Sequence, residues 1–296
     1  MLTKSGDNMS KICLMLNNIN EFNLKVDSIL IGLKNFNSLN ILELEIEEIE
    51  KLIEDKNKEI FISINKLIHN NELEELKIIL KKLEGLNISG VFFDDISIYN
   101  IVKENNLNIS LIWGNSHQAT NYNTINSWNR LGVKNSIISP DITLEEIIDI
   151  KNNTESKVFV PIYGMFEIFS SNRFLVKNYL KYIDKNSDSK LHYINHKILD
   201  TYYPIYEDSN GTHIINGNIL NGLEEMPKLI DNKIDYVLIN SYIISNIEEV
   251  IDAFNEVLNG KIDNLNEVAL KLSDNNKVFL YKETIYKVKS SDNDGK

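Results

Sequence analysis

The chain has 296 residues, of which 43% are hydrophobic and 25% are charged. This composition is typical of a globular protein with a sizeable core, built as one large domain or two small ones. The formal net charge of −12 argues against a broad basic face for nucleic acid. No apolar run reaches the roughly 18 residues that a membrane helix requires, and the N-terminal stretch lacks a signal-peptide pattern. We therefore expect a cytoplasmic protein without membrane contact.

Cysteine and arginine are the scarce residue types. The single cysteine, Cys13, excludes a disulfide within the chain and is too little for a zinc or iron–sulfur site, so we predict neither metal nor cluster. Arginine occurs only as Arg130 and Arg173, whereas asparagine, lysine and isoleucine are abundant, a bias typical of an AT-rich genome. Arginines retained against that bias suggest positions where a planar guanidinium is hard to replace, although simple packing is an equally open explanation.

Short apolar runs rich in β-branched and aromatic residues alternate with amphipathic segments along the chain. We predict eight strands, at 12–17, 27–33, 59–65, 89–95, 109–115, 134–139, 157–164 and 235–240. Helices are predicted at 42–54, 72–85, 97–105, 122–132, 144–153, 223–232 and 246–260. This alternation indicates parallel pairing through helical crossovers, and eight strands favour an α/β fold of the TIM-type (β/α)8 barrel class. An open doubly wound sheet is the alternative, but no G-x-G-x-x-G follows any strand.

The alternation breaks between the seventh and eighth predicted strands. The stretch VFVPIYGMFEIFSSNRFLVKNYLKY (158–182) is predicted as a strand, a turn and a helix. A hairpin follows at 202–216, where Asn210-Gly211 is a strong turn signal. Between them, HYINHK (192–197) is interpreted as an exposed helix or loop rather than as a metal site. The barrel is thus predicted to carry a helix–hairpin insertion between strands 7 and 8.

The predicted domain boundaries follow from these elements. We expect a flexible leader (1–9), a single barrel domain (10–262), a C-terminal extension packed on the barrel (263–289) and a disordered tail (290–296). Within the extension, KVFLYKETIYKVK (277–289) is predicted as an extended element.

A TIM barrel carries its chemistry at the C-terminal ends of its strands. At those ends the sequence supplies Asn65, Asp94, His117 and Glu167, within a set that is richer in amides than in acid–base pairs. His117 and Glu167 are the candidate catalytic residues. His213, just after the hairpin turn, is interpreted as a group that makes only local hydrogen bonds.

Several blocks of sequence, in this order, resemble the collagenase-like peptidase family U32. They include LIWGNSHQATNYNTINSWNRLGVKNSIISPDITLEEI (111–147), the stretch 158–182 and YYPIYEDSNGTHIINGNILNGLEEMPKLIDNKIDYVLIN (202–240). The resemblance extends from about residue 10 to 289 and implies a TIM-like barrel. The subgroup that the chain resembles most is a short, paired form linked to the formation of 5-hydroxyuridine in tRNA.

The chain departs from the family signature at several positions. The signature His-Gly is Tyr163-Gly164, the cysteine of Met-x-Cys is Glu167, and a later signature cysteine is Phe174. Arg173 of the signature is retained. The resemblance therefore implies a binding loop that has lost the groups of a reactive one.

A small anion is the expected ligand of that loop. The resemblance suggests prephenate, whose carboxylates suit an arginine fork, with serine hydroxyls and backbone amides at the helix start completing the cradle. A salt bridge between Arg173 and an acidic helix is the alternative. The expected ligand-binding residues are Arg173, Ser171, Asn172, Asn121, Tyr122, Asn65 and Asp94.

Three functions remain open at the level of sequence. The first is hydroxylation of the tRNA wobble uridine, with a paralogous partner that supplies the tRNA contacts that an acidic chain lacks. The second is a catalytically inactive pseudoenzyme that acts as a structural partner. The third is a peptidase, as the family name suggests, although no G-x-S-x-G or nucleophile–base–orienter arrangement is evident.

Overall fold

The computed structural model describes residues 10–38, 42–53, 58–114, 118–196, 201–261 and 263–282. The leader 1–9 and the tail 290–296 that the sequence predicts lie outside these ranges, as does His117. The strands are β1 Lys11–Met15, β2 Ser28–Leu33, β3 Glu43–Leu44, β4 Glu59–Ile64, β5 Gly90–Phe93, β6 Leu111–Trp113, β7 Asn135–Ile137, β8 Lys157–Gly164, β9 Glu167–Ser171, β10 Leu191–His196, β11 Thr201–Asp208, β12 Gly211–Ile215, β13 Leu220–Asn221 and β14 Tyr236–Asn240. The α-helices are α1 Ile46–Ile53, α2 Leu73–Glu84, α3 Ile96–Glu104, α4 Tyr122–Arg130, α5 Leu144–Asn152, α6 Leu175–Tyr182, α7 Met226–Asp231, α8 Ile247–Leu258 and α9 Leu265–Leu272.

Eight of the strands close into a parallel barrel. They follow the order β1-β14-β8-β7-β6-β5-β4-β2, and β1 also pairs with β2, which completes the ring. Helices connect successive strands and cover the outside, as parallel pairing requires. The predicted TIM-type barrel is therefore confirmed. None of the helices in the described ranges is long and apolar enough to span a membrane.

Alternation along each strand separates two hydrophobic layers. In β1, Cys13 belongs to a cluster inside the barrel, whereas Ile12 and Leu14 belong to the larger layer between barrel and helices. Aromatic rings fill the inner cluster, with Phe159 stacked on Tyr236 at 4.1 Å between ring centroids and edge-on to Phe61 at 5.3 Å. Because these rings lie in the N-terminal halves of their strands, they fill the lower part of the interior, and the cavity above them opens at the C-terminal mouth.

The insertion between β8 and β14 differs in part from its prediction. The hairpin is confirmed as β11 and β12, joined by a turn at 209–210, and the helix is confirmed as α6. The predicted turn after β8 is wrong, since Glu167–Ser171 forms β9, which pairs with β12. The predicted helix or loop at HYINHK is also wrong for its described residues, because Leu191–His196 pairs with β11 as strand β10. These strands make a four-stranded antiparallel sheet, β10-β11-β12-β9, that we call the insertion sheet.

The chain after the barrel contains a helix that the sequence analysis missed, α9. Residues 278–281 form turns rather than the predicted extended element, and 283–289 lie outside the described residues. This segment contacts the barrel through its backbone, as Asn221 N donates to Asn276 O at 2.8 Å and Leu144 N donates to Leu280 O at 3.0 Å.

Candidate functional site at the barrel mouth

Two adjoining cavities open at the C-terminal ends of the barrel strands. The inner one, of about 100 Å³, has an apolar floor that includes Phe92 and Leu238. The outer one, of about 340 Å³, lies between the barrel rim and the insertion sheet. Asn65, Asp94 and Glu167 line both cavities, so the two form one continuous mouth.

Asn65 and Asp94 directly follow β4 and β5 and share this mouth. The Asn65 side chain exchanges two hydrogen bonds with Ser38, accepting from its N at 2.8 Å and donating to its O at 3.1 Å. Asn65 therefore orders the segment after β2 and keeps only part of its hydrogen-bonding capacity for a ligand. Beside Asp94, a Cβ atom at Gly114 would lie 3.0 Å from Oδ1. Glycine at this position leaves space next to the carboxylate.

Glu167 and His213 form a hydrogen-bonded pair across β9 and β12. Glu167 Oε1 lies 2.8 Å from His213 Nδ1, and the side chains are 19% and 5% exposed. The other ring nitrogen, Nε2, is buried and has no hydrogen-bond partner among the described residues, while His213 lines the outer cavity. A carboxylate that fixes one imidazole nitrogen leaves the other to exchange a hydrogen bond or a proton with a ligand.

Sequence reasoning missed the role of His213. In β12, Thr212 and Ile214 line a groove on the far side of the insertion sheet, so the alternation of the strand turns His213 toward the mouth. The available signal was this period of two after the Asn210-Gly211 turn. The sequence gives no signal for the partner, because the stretch around Glu167 predicts a turn rather than a strand.

The Arg173 loop is built by local hydrogen bonds between β9 and α6. Arg173 N donates to Ser171 Oγ at 3.3 Å, and Thr212 Oγ1 donates to Arg173 O at 2.7 Å. The amides at the start of α6 are occupied, because Val176 N and Lys177 N donate to the carboxylate of Glu207 at 2.8 and 3.0 Å. An anion bound here would therefore depend on side chains rather than on those amides.

The guanidinium of Arg173 is exposed and makes no ion pair within the described part of the chain. Arg173 and Ser171 do not line the mouth, but the intervening Asn172 lines its outer cavity. Arg173 thus lies one residue beyond the rim.

Asn121 and Tyr122 lie away from the mouth lining. Asn121 caps α4, accepting from Thr124 N at 2.9 Å, and Tyr122 packs against the outer core. Of the residues named from sequence, the structure thus brings Asn65, Asp94, Glu167 and Asn172 together.

Tyr163 and Gly164, at the signature His-Gly position, have different roles. Tyr163 is fully buried on the outside of the barrel, edge-on to Phe254, and its hydroxyl donates to Leu272 O at 3.4 Å. Gly164 has φ +113°, and a Cβ atom there would lie 2.4 Å from Asn240 O. This glycine allows the chain to turn sharply from β8 into β9, and the turn positions Glu167.

Cys13 is an unsuitable nucleophile. It is fully buried within the barrel, and this burial raises the pKa of its thiol to about 12, so the thiolate is scarce at neutral pH. Over the described residues, no group of three or more His, Cys, Asp or Glu side chains is arranged to hold a metal ion.

Comparison with known proteins places this architecture in a family. A sequence relative from Bacillus subtilis, "tRNA hydroxylation protein P2", is 29% identical over 81% of this chain and 86% of its own length. A second from that organism, "tRNA hydroxylation protein P1", is 22% identical over 71% of this chain and 54% of its own length. "tRNA hydroxylation protein P" of Haemophilus influenzae is 25% identical over 51% of this chain and 32% of its own length. The model of Peptidase family U32 matches residues 18–288, and the chain therefore belongs to peptidase family U32.

Proposed function

We propose that this protein takes part in hydroxylating the wobble uridine of tRNA to 5-hydroxyuridine, in the cytoplasm and together with a paralogous family member. The observation that carries the proposal is the similarity to "tRNA hydroxylation protein P2", which extends over 86% of that relative. Two such proteins, P1 and P2, occur in one organism, which supports a paired arrangement. The polar mouth of the barrel is the place where such a reaction would be supported.

The proposed ligand is prephenate or a similar small anion at the outer rim of the mouth. The Asp94 and Glu167 carboxylates line both cavities and would repel an anion deeper inside. Arg173, one residue beyond the rim, offers an exposed guanidinium, and Asn172 and Ser170 line the adjacent wall. An arginine fork with polar neighbours suits a carboxylate.

The first test compares the two arginines of the chain. In a strain that lacks the gene, 5-hydroxyuridine in tRNA should fall, and the wild-type gene should restore it. The Arg173→Gln gene should restore at least about tenfold less 5-hydroxyuridine than the wild-type gene, because a charge-assisted hydrogen bond to the anion contributes roughly 1.5–3 kcal/mol. Arg130→Gln is the matched control, since its guanidinium bonds Ser127 on α4 and does not line the mouth. Mass spectrometry of tRNA nucleosides measures each level, and unchanged 5-hydroxyuridine after deletion would contradict the proposal.

The second candidate is a structural partner without catalytic activity. It is favoured by Glu167 at the signature cysteine position and by the buried state of Cys13. Glu167→Gln and His213→Gln separate the two candidates. If the mouth contributes to the reaction, either variant should lower 5-hydroxyuridine at least about tenfold while the protein still co-purifies with its paralogue. Full activity of both variants would favour the structural role.

A further inference from the structure

Exposed aromatic and basic side chains gather on one part of the insertion. Helix α6 has no buried residue, and Tyr182 at its end is 87% exposed. Lys177 and Lys181 are one helical turn apart on its outer face, and the helical period places Phe174 and Tyr182 beside them. We call Phe174, Lys177, Lys181, Tyr182 and the following Lys185 the basic–aromatic face.

Charge is segregated between this face and the rest of the molecule. Residues 173–190 contain five basic and two acidic side chains, a local net charge of +3 in a chain whose total is −12. The five basic side chains are all exposed. The Debye length is about 8 Å at physiological ionic strength, so the acidic remainder is largely screened from a ligand on this face.

The three lysines of the basic–aromatic face are also not neutralised locally. In the described part of the chain, the lysines that form ion pairs all lie outside 173–190. Within the insertion, the Glu207 carboxylate is instead bound to the backbone at the start of α6. Lys177, Lys181 and Lys185 therefore present their charge to solvent.

The composition of this face favours a polyanion with stackable rings. Lysine is depleted in the cores of protein–protein interfaces, whereas lysine contacts phosphate and aromatic side chains stack on bases in complexes with single-stranded RNA. The other side of α6 faces an apolar groove of about 490 Å³ lined by Val176, Tyr179 and Ile214, where a protein segment would fit instead.

The face is connected to the mouth by a short path. His213 lines the outer cavity on one side of the insertion sheet, and Thr212 and Ile214 line the groove below α6 on the other. Arg173 lies between Asn172 at the rim and the first turn of α6. A strand that follows the basic residues toward Arg173 therefore arrives at the mouth.

We propose that the basic–aromatic face binds RNA, with Lys177, Lys181 and Lys185 contacting phosphates and with Phe174 and Tyr182 stacking on unpaired bases. This inference rests on the proposed function, because it names the surface through which an anticodon loop would reach the barrel mouth. It assigns RNA contacts to this acidic chain itself, where net charge alone had suggested only a partner.

The test uses the purified full-length protein and a fluorescently labelled tRNA anticodon stem-loop. Anisotropy titrations give Kd at several salt concentrations. The combined variant Lys177→Gln, Lys181→Gln and Lys185→Gln should raise Kd at least about tenfold and reduce the slope of log K against log salt by about 2, at roughly 0.7 per lost phosphate contact. Phe174→Ala with Tyr182→Ala should raise Kd at least about fivefold with little change in that slope.

The matched control removes three exposed lysines from the last turns of α1, α2 and α9, as Lys51→Gln, Lys81→Gln and Lys271→Gln. It changes the net charge equally and should leave Kd within about twofold. No binding by the wild-type protein, or an equal loss in the control, overturns the proposal. Unchanged RNA binding with lost capture of the purified paralogue would make this a protein-docking face and would also overturn it.

These results are separable from the fate of the proposed function, because RNA binding is measured without hydroxylation. If deletion of the gene leaves 5-hydroxyuridine unchanged while Kd still depends on the basic–aromatic face, RNA binding by this face is supported and the proposed function is contradicted.

Discussion

The barrel and the insertion use the same residue types in opposite ways. Inside the barrel, Phe159 and Tyr236 stack in a closed cluster, whereas Tyr182 of the insertion is mostly exposed. Several lysines of the barrel form ion pairs, as in Lys151–Asp235 at 2.5 Å, whereas Lys177 and Lys181 have no such partner among the described residues. The barrel thus buries its aromatic rings in its own core, whereas the insertion exposes aromatic and basic side chains to solvent.

This difference shows why whole-chain averages mislead. The net charge of −12 is the sum over the whole chain, in which residues 173–190 carry +3 and the remainder carries −15. Because electrostatic interactions at the surface decay over a Debye length, the local arrangement decides what binds. The same argument applies to hydrophobicity, since an aromatic residue is a core residue or a binding residue according to its position.

The largest expected effect is the loss of stability when the aromatic cluster inside the barrel is disrupted. Phe159→Ala removes a ring that is 1% exposed and contacts Phe61, Phe92 and Tyr236, and should lower the free energy of unfolding by about 3–5 kcal/mol. Tyr182→Ala, the comparison in the insertion, should change it by less than about 0.5 kcal/mol. Urea unfolding followed by circular dichroism measures both values. Equal losses would mean that the insertion is part of the core.

The next largest effect is expected at the junction between the barrel and the insertion. In Gly164→Ala the residue would keep a positive φ, and its Cβ atom would lie 2.4 Å from the Asn240 backbone. The variant should therefore lower the free energy of unfolding by about 2–4 kcal/mol. Gly260→Ala has φ +86° but nothing within 4 Å, and should cost only about 1 kcal/mol. Thermal unfolding of both variants separates the cost of backbone strain at a positive φ from the cost of the steric clash with Asn240. A loss at Gly164 no larger than at Gly260 would show that the turn into β9 relaxes freely.

The barrel was predictable because its signals are local. Apolar strands such as β4 and amphipathic helices such as α2 carry their periodicity within a few residues. The capping box that Thr143 and Glu146 form at α5 is likewise a pattern contained within four residues of sequence. The alternation of strands and helices along the chain then predicts the fold class.

The site was only partly predictable because its contacts are long-range. EIFSS of β9 shows no apolar alternation, and it becomes a strand only by pairing with β12. Glu167 and His213 are 46 residues apart in sequence, so no local pattern links them. Asn65 was correctly placed at a strand end, yet its amide is largely engaged with Ser38, which only the structure reveals.

The smallest expected effect concerns how the C-terminal segment is attached to the barrel. Glu224 accepts hydrogen bonds from Lys277 at 2.9 Å and from Asn275 at 2.8 Å. These bonds lower the pKa of its carboxyl from 4.5 to about 2. Since the pKa in the folded state lies below the unfolded value, the stabilisation is complete above about pH 4.5 and is lost as the pH falls toward 2.

Glu224→Gln should therefore lower the free energy of unfolding by about 1 kcal/mol at neutral pH, and by progressively less in acid, where the wild-type carboxyl is itself protonated. The matched control is Glu256→Gln, because Glu256 pairs with Lys261 in an ion pair whose side chains are 55% and 69% exposed. That pair should contribute less than about 0.5 kcal/mol, since solvent screens it. Urea unfolding of wild type and both variants at neutral pH and at about pH 3 gives the comparison. A Glu224→Gln loss that is constant with pH would show that packing rather than charge attaches the segment to the barrel.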